Sequence, residues 1–129
     1  MSPVTLSTPV VLTTEPTPLA VIGTVGLLAL FFSVTAHLAA RNVLGEVPVV
    51  TALGVGIGPA LVSVGTPLLS VPSGIGVFVA LVVDGFAIHW LYGQPRRTSV
   101  YITAIHVIVT VLLGTVLFGV LAIAMTAPG

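Results

Sequence analysis

The chain has 129 residues, 57% of them hydrophobic and 5% charged, with a mean hydropathy of +1.28, whereas soluble domains carry roughly a quarter charged residues. It reads as a membrane protein. Three Lys+Arg, all arginine, balance three Asp+Glu, so there is no basic field for nucleic acid. The absence of cysteine excludes disulfides, thiolate nucleophiles, Cys-ligated zinc and iron–sulfur clusters.

Residues 1–18 are rich in Ser, Thr and Pro, with prolines at 3, 9, 16 and 18 and no positive leader. Prolines at that density prevent a continuous helix, so this stretch is expected to be a flexible tail and not a signal peptide.

A bilayer core about 30 Å thick needs about 20 apolar residues at 1.5 Å rise. Four stretches qualify, at about 19–40, 48–69, 72–92 and 100–125. The first is closed by Arg41 and Asn42. The second and third are separated by a turn at Ser70–Gly74, with Pro72 at its centre. The fourth is long enough to require tilt. The expected architecture is all-α, an integral membrane four-helix bundle over 19–126 with short loops.

Helix two carries Gly54, Gly56, Gly58 and Pro59. Gly54 and Gly58 form a Gly-x-x-x-Gly pair that lets another backbone approach closely. Pro59 removes a backbone donor and is expected to kink the helix. A tightly packed, bent central helix is the simpler reading. A broken helix whose freed carbonyls line a site is the sharper one.

Arginine placement sets the expected orientation. Arg41 follows helix one, and Arg96 and Arg97 follow helix three, while the tail, the 70–74 turn and the C-terminus hold no Lys or Arg. The positive-inside rule then puts these loops in the cytoplasm and both termini outside, in a multi-pass plasma-membrane protein. Trp90, Tyr92 and Tyr101 gather at the arginine edge, where aromatic rings anchor.

The candidate site lies in Val77–Arg97, where Asp84 interrupts an apolar run and His89 follows. Five residues at about 100° each put Asp84 and His89 about 140° apart around a helix, so they are poor partners. Across the antiparallel hairpin of helices three and four, Asp84 falls level with His106 or Val107. On the helical rise Asp84 lies roughly 14 Å and His106 roughly 11 Å inside the arginine-side boundary, with His37 and His89 at about 6 Å.

A mid-bilayer aspartate costs about 2.5–3.5 kcal/mol on insertion scales and is rarely left facing lipid. Three accounts compete. Asp84, neutral or hydrogen-bonded to His106, Ser63 or Thr110, holds the bundle in register. Alternatively, Asp84 with His106 and His37 forms a protonatable site in a small transporter or channel subunit. The third, a metal or hydrolytic site of Asp84 with His37, His89 and His106, ranks last. Its histidines come one per helix without i, i+4 pairing, and no nucleophile motif accompanies them. His89, beside Trp90 and Tyr92, reads as an interfacial polar group.

The segments Phe31–Pro48, containing His37, Arg41 and Glu46, and Leu91–Gly114, containing Arg96, Arg97, Tyr101 and His106, resemble small multi-spanning membrane proteins of unknown function from haloarchaea. The resemblance implies an archaeal plasma membrane and supplies no activity. Small multidrug transporters place a membrane glutamate in the first helix, where this chain has no acid. Small fluoride channels have a polar and aromatic track that this chain does not match.

The sequence therefore points first to a structural or accessory membrane component, then to a small proton- or ion-coupled transporter using Asp84 with His106, and last to an enzyme. No cofactor or metal is expected. The expected partners are the lipid bilayer and a second copy or another membrane protein, with self-association through the glycine face of helix two.

Overall fold

A computed structural model describes residues 16–128; the expected flexible tail lies outside the described residues up to position 15. Four helices follow in order, α1 Pro18–Leu44, α2 Val49–Leu68, α3 Ser73–Tyr92 and α4 Arg96–Thr126. Among the described residues there is no strand. The protein is an all-α four-helix bundle, and each helix is long and apolar enough to cross a membrane.

Proline punctuates every start. Pro18 opens α1 behind Thr17, whose side chain accepts from the Ala20 amide at 3.0 Å, and Pro48, Pro72 and Pro95 stand immediately before α2, α3 and α4. A proline there costs no hydrogen bond, because the first-turn amides have no helical acceptor. Two glycines in positive φ end helices: Gly45 (φ 84) after α1 and Gly93 (φ 63) after α3, a backbone region that glycine enters without a Cβ penalty.

Two helices run further than the apolar stretches. α1 continues through Arg41 and Asn42 to Leu44, and α4 starts at Arg96, not near 100. Charge ends an apolar span, but it does not interrupt a hydrogen-bond ladder; the capping glycine and proline do. α2 runs unbroken through Pro59 and Pro67, so the broken-helix reading does not hold.

Each helix packs on its neighbours in the chain, and α4 closes on α1, so that α1 and α3, like α2 and α4, are diagonal. The tightest approach is between α1 and α2. A Cβ on Gly56 would lie 2.6 Å from the Ala29 carbonyl oxygen and from the Ser33 amide, leaving room only for glycine. Gly54 and Gly58 face the other way, onto Leu91 and Val83 of α3. The Gly54–Gly58 face is thus used inside the chain.

The core is an alanine-rich layer toward the arginine end, Ala36, Ala39, Ala40 and Ala52 with Val55, Ile88 and Ile102. The large apolar side chains point outward, among them Leu27, Leu53, Phe78, Phe86, Val111 and Phe118. Small residues inside and large ones outside suit a bundle whose solvent is lipid, where association rests on close backbone packing.

Candidate functional site: a buried Asp–His pair beneath a cavity

The turn between α3 and α4 is only Gly93–Pro95, which forces the two helices antiparallel. Asp84 stands 8 residues before the end of α3 and His106 stands 10 after the start of α4, so both lie about 12–15 Å from that turn on the helical rise. At that depth Asp84 Oδ2 is 2.6 Å from His106 Nδ1, and both residues are buried, at 4% and 3% exposure. Asp84 Oδ1 is buried without a hydrogen-bond partner.

The imidazole reaches across the bundle to α1. His106 Nε2 is 2.8 Å from Thr35 Oγ1 and 3.2 Å from the Phe32 carbonyl oxygen. Thr35 donates to that carbonyl at 3.0 Å and accepts from Thr110 at 3.0 Å. The result is one polar chain, Asp84–His106–Thr35–Thr110, joining α3, α4 and α1 through the interior.

Its proton content follows from donor counting. The Phe32 carbonyl can only accept, so its contact with Nε2 puts a proton on Nε2. One further proton then bridges Nδ1 and Oδ2. It rests either on the ring, giving imidazolium and carboxylate, or on the carboxyl group, giving two neutral groups. The pair sums to zero charge in both cases, which is the condition for burying ionisable groups at membrane depth.

Above the pair lies a cavity of ≈480 Å³ to which all four helices contribute. It extends from the α2–α3 turn, where Pro67 and Ser73 are exposed, down to Asp84 and His106. Its walls are mainly apolar, with Ser63, Thr66 and Thr110 as polar points. Below the pair, the alanine-rich layer is 0–1% exposed. The pair therefore sits at the inner end of a cavity that also opens on the flank of the bundle, where Val77 and Val111 are exposed, above a closely packed layer.

The remaining candidates lie elsewhere. His37 is apart from the pair, in a hollow at the arginine end with Arg41 and Glu46, and its Nδ1 is buried without a partner. The α1 contribution to the polar chain is Thr35 instead. His89 Nδ1 is 3.3 Å from Ser99 Oγ, tying α3 to the first turn of α4. Ser63 lines the cavity, and Thr110 bonds to Thr35. Trp90 and Tyr101 face outward at 79% and 59% exposure. Tyr92, expected at the interface, turns inward onto the alanine layer, with its hydroxyl buried and unpartnered. Arg41, Arg96 and Arg97 are exposed at one end of the bundle. Among the described residues no three of His, Cys, Asp and Glu gather as metal ligands.

A family model described as "Family of unknown function (DUF7473)" matches residues 15–128. The chain belongs to that family. The match spans all four helices and every residue of the polar chain. No curated protein and no solved structure matches the chain.

Proposed function

We propose that this protein is a small proton-coupled membrane carrier in which Asp84 and His106 form the protonatable site. One observation carries the reading: a cavity reaches the buried pair from the α2–α3 turn, while the layer around Ala39, Ala52, Ile88 and Ile102 closes the route to the arginine end. A coupled carrier needs a titratable group at mid-membrane exposed to one side at a time. The neutral, one-proton bridge meets the first requirement, and the cavity above a seal meets the second. With the arginine loops in the cytoplasm, the cavity faces outward and both termini lie outside. The location that goes with this reading is the archaeal plasma membrane that the sequence resemblance implies.

A second reading, a structural or accessory membrane component, is favoured by a different observation. α3 and α4 share the smallest of the four helix interfaces, and the Asp84–His106 contact is a buried link across it. On that reading the pair holds two sparsely packed helices in register.

Asp84→Asn separates the two, because it keeps size and hydrogen bonding but cannot take part in proton exchange. Purified wild-type and variant protein in lipid vesicles, given a pH gradient and a broad solute panel, should differ in pH-driven uptake. Equal uptake across the panel removes the carrier reading and leaves the register-holding one.

A further inference from the structure

We propose that the cavity above Asp84 binds a small amphipathic amine, its ammonium head on Asp84 Oδ1 and its apolar body toward the α2–α3 turn. The role of this ligand as cargo rests on the carrier reading above; its binding does not. Volume comes first. A mainly apolar space of ≈480 Å³ with a few polar points has the size and lining of small-molecule pockets.

The polar points then select the head group, because the atom at the floor left without a partner is an acceptor. Asp84 Oδ1 is buried and lacks a donor. Pro67 has no N–H, so the Ser63 carbonyl loses its usual i+4 donor, and both residues line the cavity. Phe32 adds an aromatic lining residue, whose ring face attracts cations. The chain has no lysine, and none of its arginines lines the cavity. An anionic head would meet the Asp84 carboxyl with no cation but a ring already engaged on Oδ2, and a hydroxyl head would leave the acid without a cation of its own.

Binding also has a proton balance. The other titratable group against Asp84 is His106 on α4; α1 presents Phe32 and Thr35 to this region, and α2 presents Pro59 and Ser63. The empty pair holds one proton in the bridge and one on Nε2, with net charge zero. When the ammonium donates to Oδ1, zero charge is kept by the loss of one proton. His106 then holds Nδ1–H on the carboxylate, and Nε2, now bare, accepts from the Thr35 hydroxyl, which rotates away from the Phe32 carbonyl. One ammonium enters as one proton leaves.

The test uses the full chain in lipid nanodiscs with three probes of one apolar body: phenylbutylamine, phenylbutanol and phenylbutyrate. Calorimetry and a pH indicator in weak buffer read binding and proton release. The amine should bind at one per chain and release one proton, with affinity falling about tenfold for each unit by which the pH is lowered, as linkage requires for one proton released. The alcohol and the acid should bind at least tenfold more weakly. Asp84→Asn should abolish amine binding. Ala80→Phe, which adds bulk to the cavity wall one turn before Asp84 and leans toward the start of the helix, should do so as well at an unchanged unfolding temperature, and it carries the test if Asp84→Asn does not fold. Equal binding of the three probes, amine binding without proton release, or full amine binding in Ala80→Phe overturns the proposal, as does a lack of binding by every probe. If pH-driven uptake of other solutes occurs without amine binding, the amine is wrong and the carrier stands. If the amine binds with proton release but is never carried across vesicles, the carrier is wrong and the binding site stands.

Discussion

Asp84 on α3 and His106 on α4 meet at 2.6 Å in the interior of the bundle, and His106 in turn meets Thr35 of α1 at 2.8 Å. Three helices are thereby held by one imidazole. Because α3 and α4 otherwise share the smallest helix interface, the contact matters for stability whatever else it does.

The first prediction follows from what each deletion leaves behind. His106→Leu strands the Asp84 carboxyl with both oxygens unpartnered, whereas the double variant Asp84→Leu with His106→Leu leaves no orphan. Removing one member of a buried pair typically costs about 3–5 kcal/mol, and replacing both is often neutral. The double variant is therefore expected to be more stable than His106→Leu alone in reversible unfolding from detergent. A double-mutant cycle should give a coupling above about 1.5 kcal/mol; ordinary hydrogen bonds between membrane helices average about 0.6 kcal/mol, and a coupling that small would mark the pair as a neutral contact of no special weight.

The second concerns Thr35, which is fully buried and accepts from both His106 and Thr110. Thr35→Val keeps the shape and removes the hydroxyl. Two partners then lose a contact, so a loss of about 1–2 kcal/mol is expected from the range measured for membrane hydrogen bonds. Thr110→Val, which removes only the contact at the far end of the chain, should cost less. Thermal unfolding of both variants in one detergent checks the order, and equal losses would place Thr35 outside the network.

Why Thr35 was harder to see than His106 has a physical answer. A short turn fixes an antiparallel pair, so position numbers alone set Asp84 and His106 at one depth. Nothing comparable fixes the rotation of α1 about its axis. In a soluble bundle the polar face would reveal it, but here lipid and core are both apolar, and the periodicity of α1 does not separate them. His37 is the histidine of that helix, yet it lies two residues from Thr35, about 200° around the helix. The usable signal was size: Ser33, Ala36 and Ala40, at i, i+3 and i+7, are all buried, and Thr35 lies beside that stripe. The four spans were legible from length and hydropathy, while their ends followed Gly45 and Pro95 and not the charges. The cavity left no trace in the sequence, because it depends on how far α3 and α4 stand apart.

The third prediction ranks the glycines of α2. Gly56 meets α1 backbone, Gly58 meets the stiff Val83 side chain, and Gly54 meets the end of a Leu91 side chain that can move. Overpacking a well-filled contact costs about 1–3 kcal/mol, and backbone cannot give way as a side chain can. Alanine should therefore destabilise most at 56, less at 58 and least at 54. Gly23 has nothing within 4 Å of a Cβ. Gly23→Ala should be neutral or gain up to about 1 kcal/mol, the usual difference between these residues in a helix. Because the Gly54 face packs on α3, Gly54→Leu should lower stability without changing the mass of the detergent-solubilised particle. A drop in mass would instead assign that face to self-association.

The last prediction tests the direction in which the cavity faces. α3 starts at Ser73, beside the cavity mouth, and α4 starts at Arg96, so Ser73 and Thr98 lie at opposite ends of the bundle. All three arginines cluster at the Thr98 end, and under the positive-inside rule that end is expected in the cytoplasm. Since the chain has no cysteine, Ser73→Cys and Thr98→Cys each introduce a single thiol. A membrane-impermeant maleimide added to intact cells should label Ser73→Cys at once and Thr98→Cys only after the membrane is opened. The reverse pattern would turn the cavity toward the cytoplasm. Labelling of both from outside would mean that the arginine end is not retained inside, and the carrier reading would then lose the sidedness on which one-directional access depends.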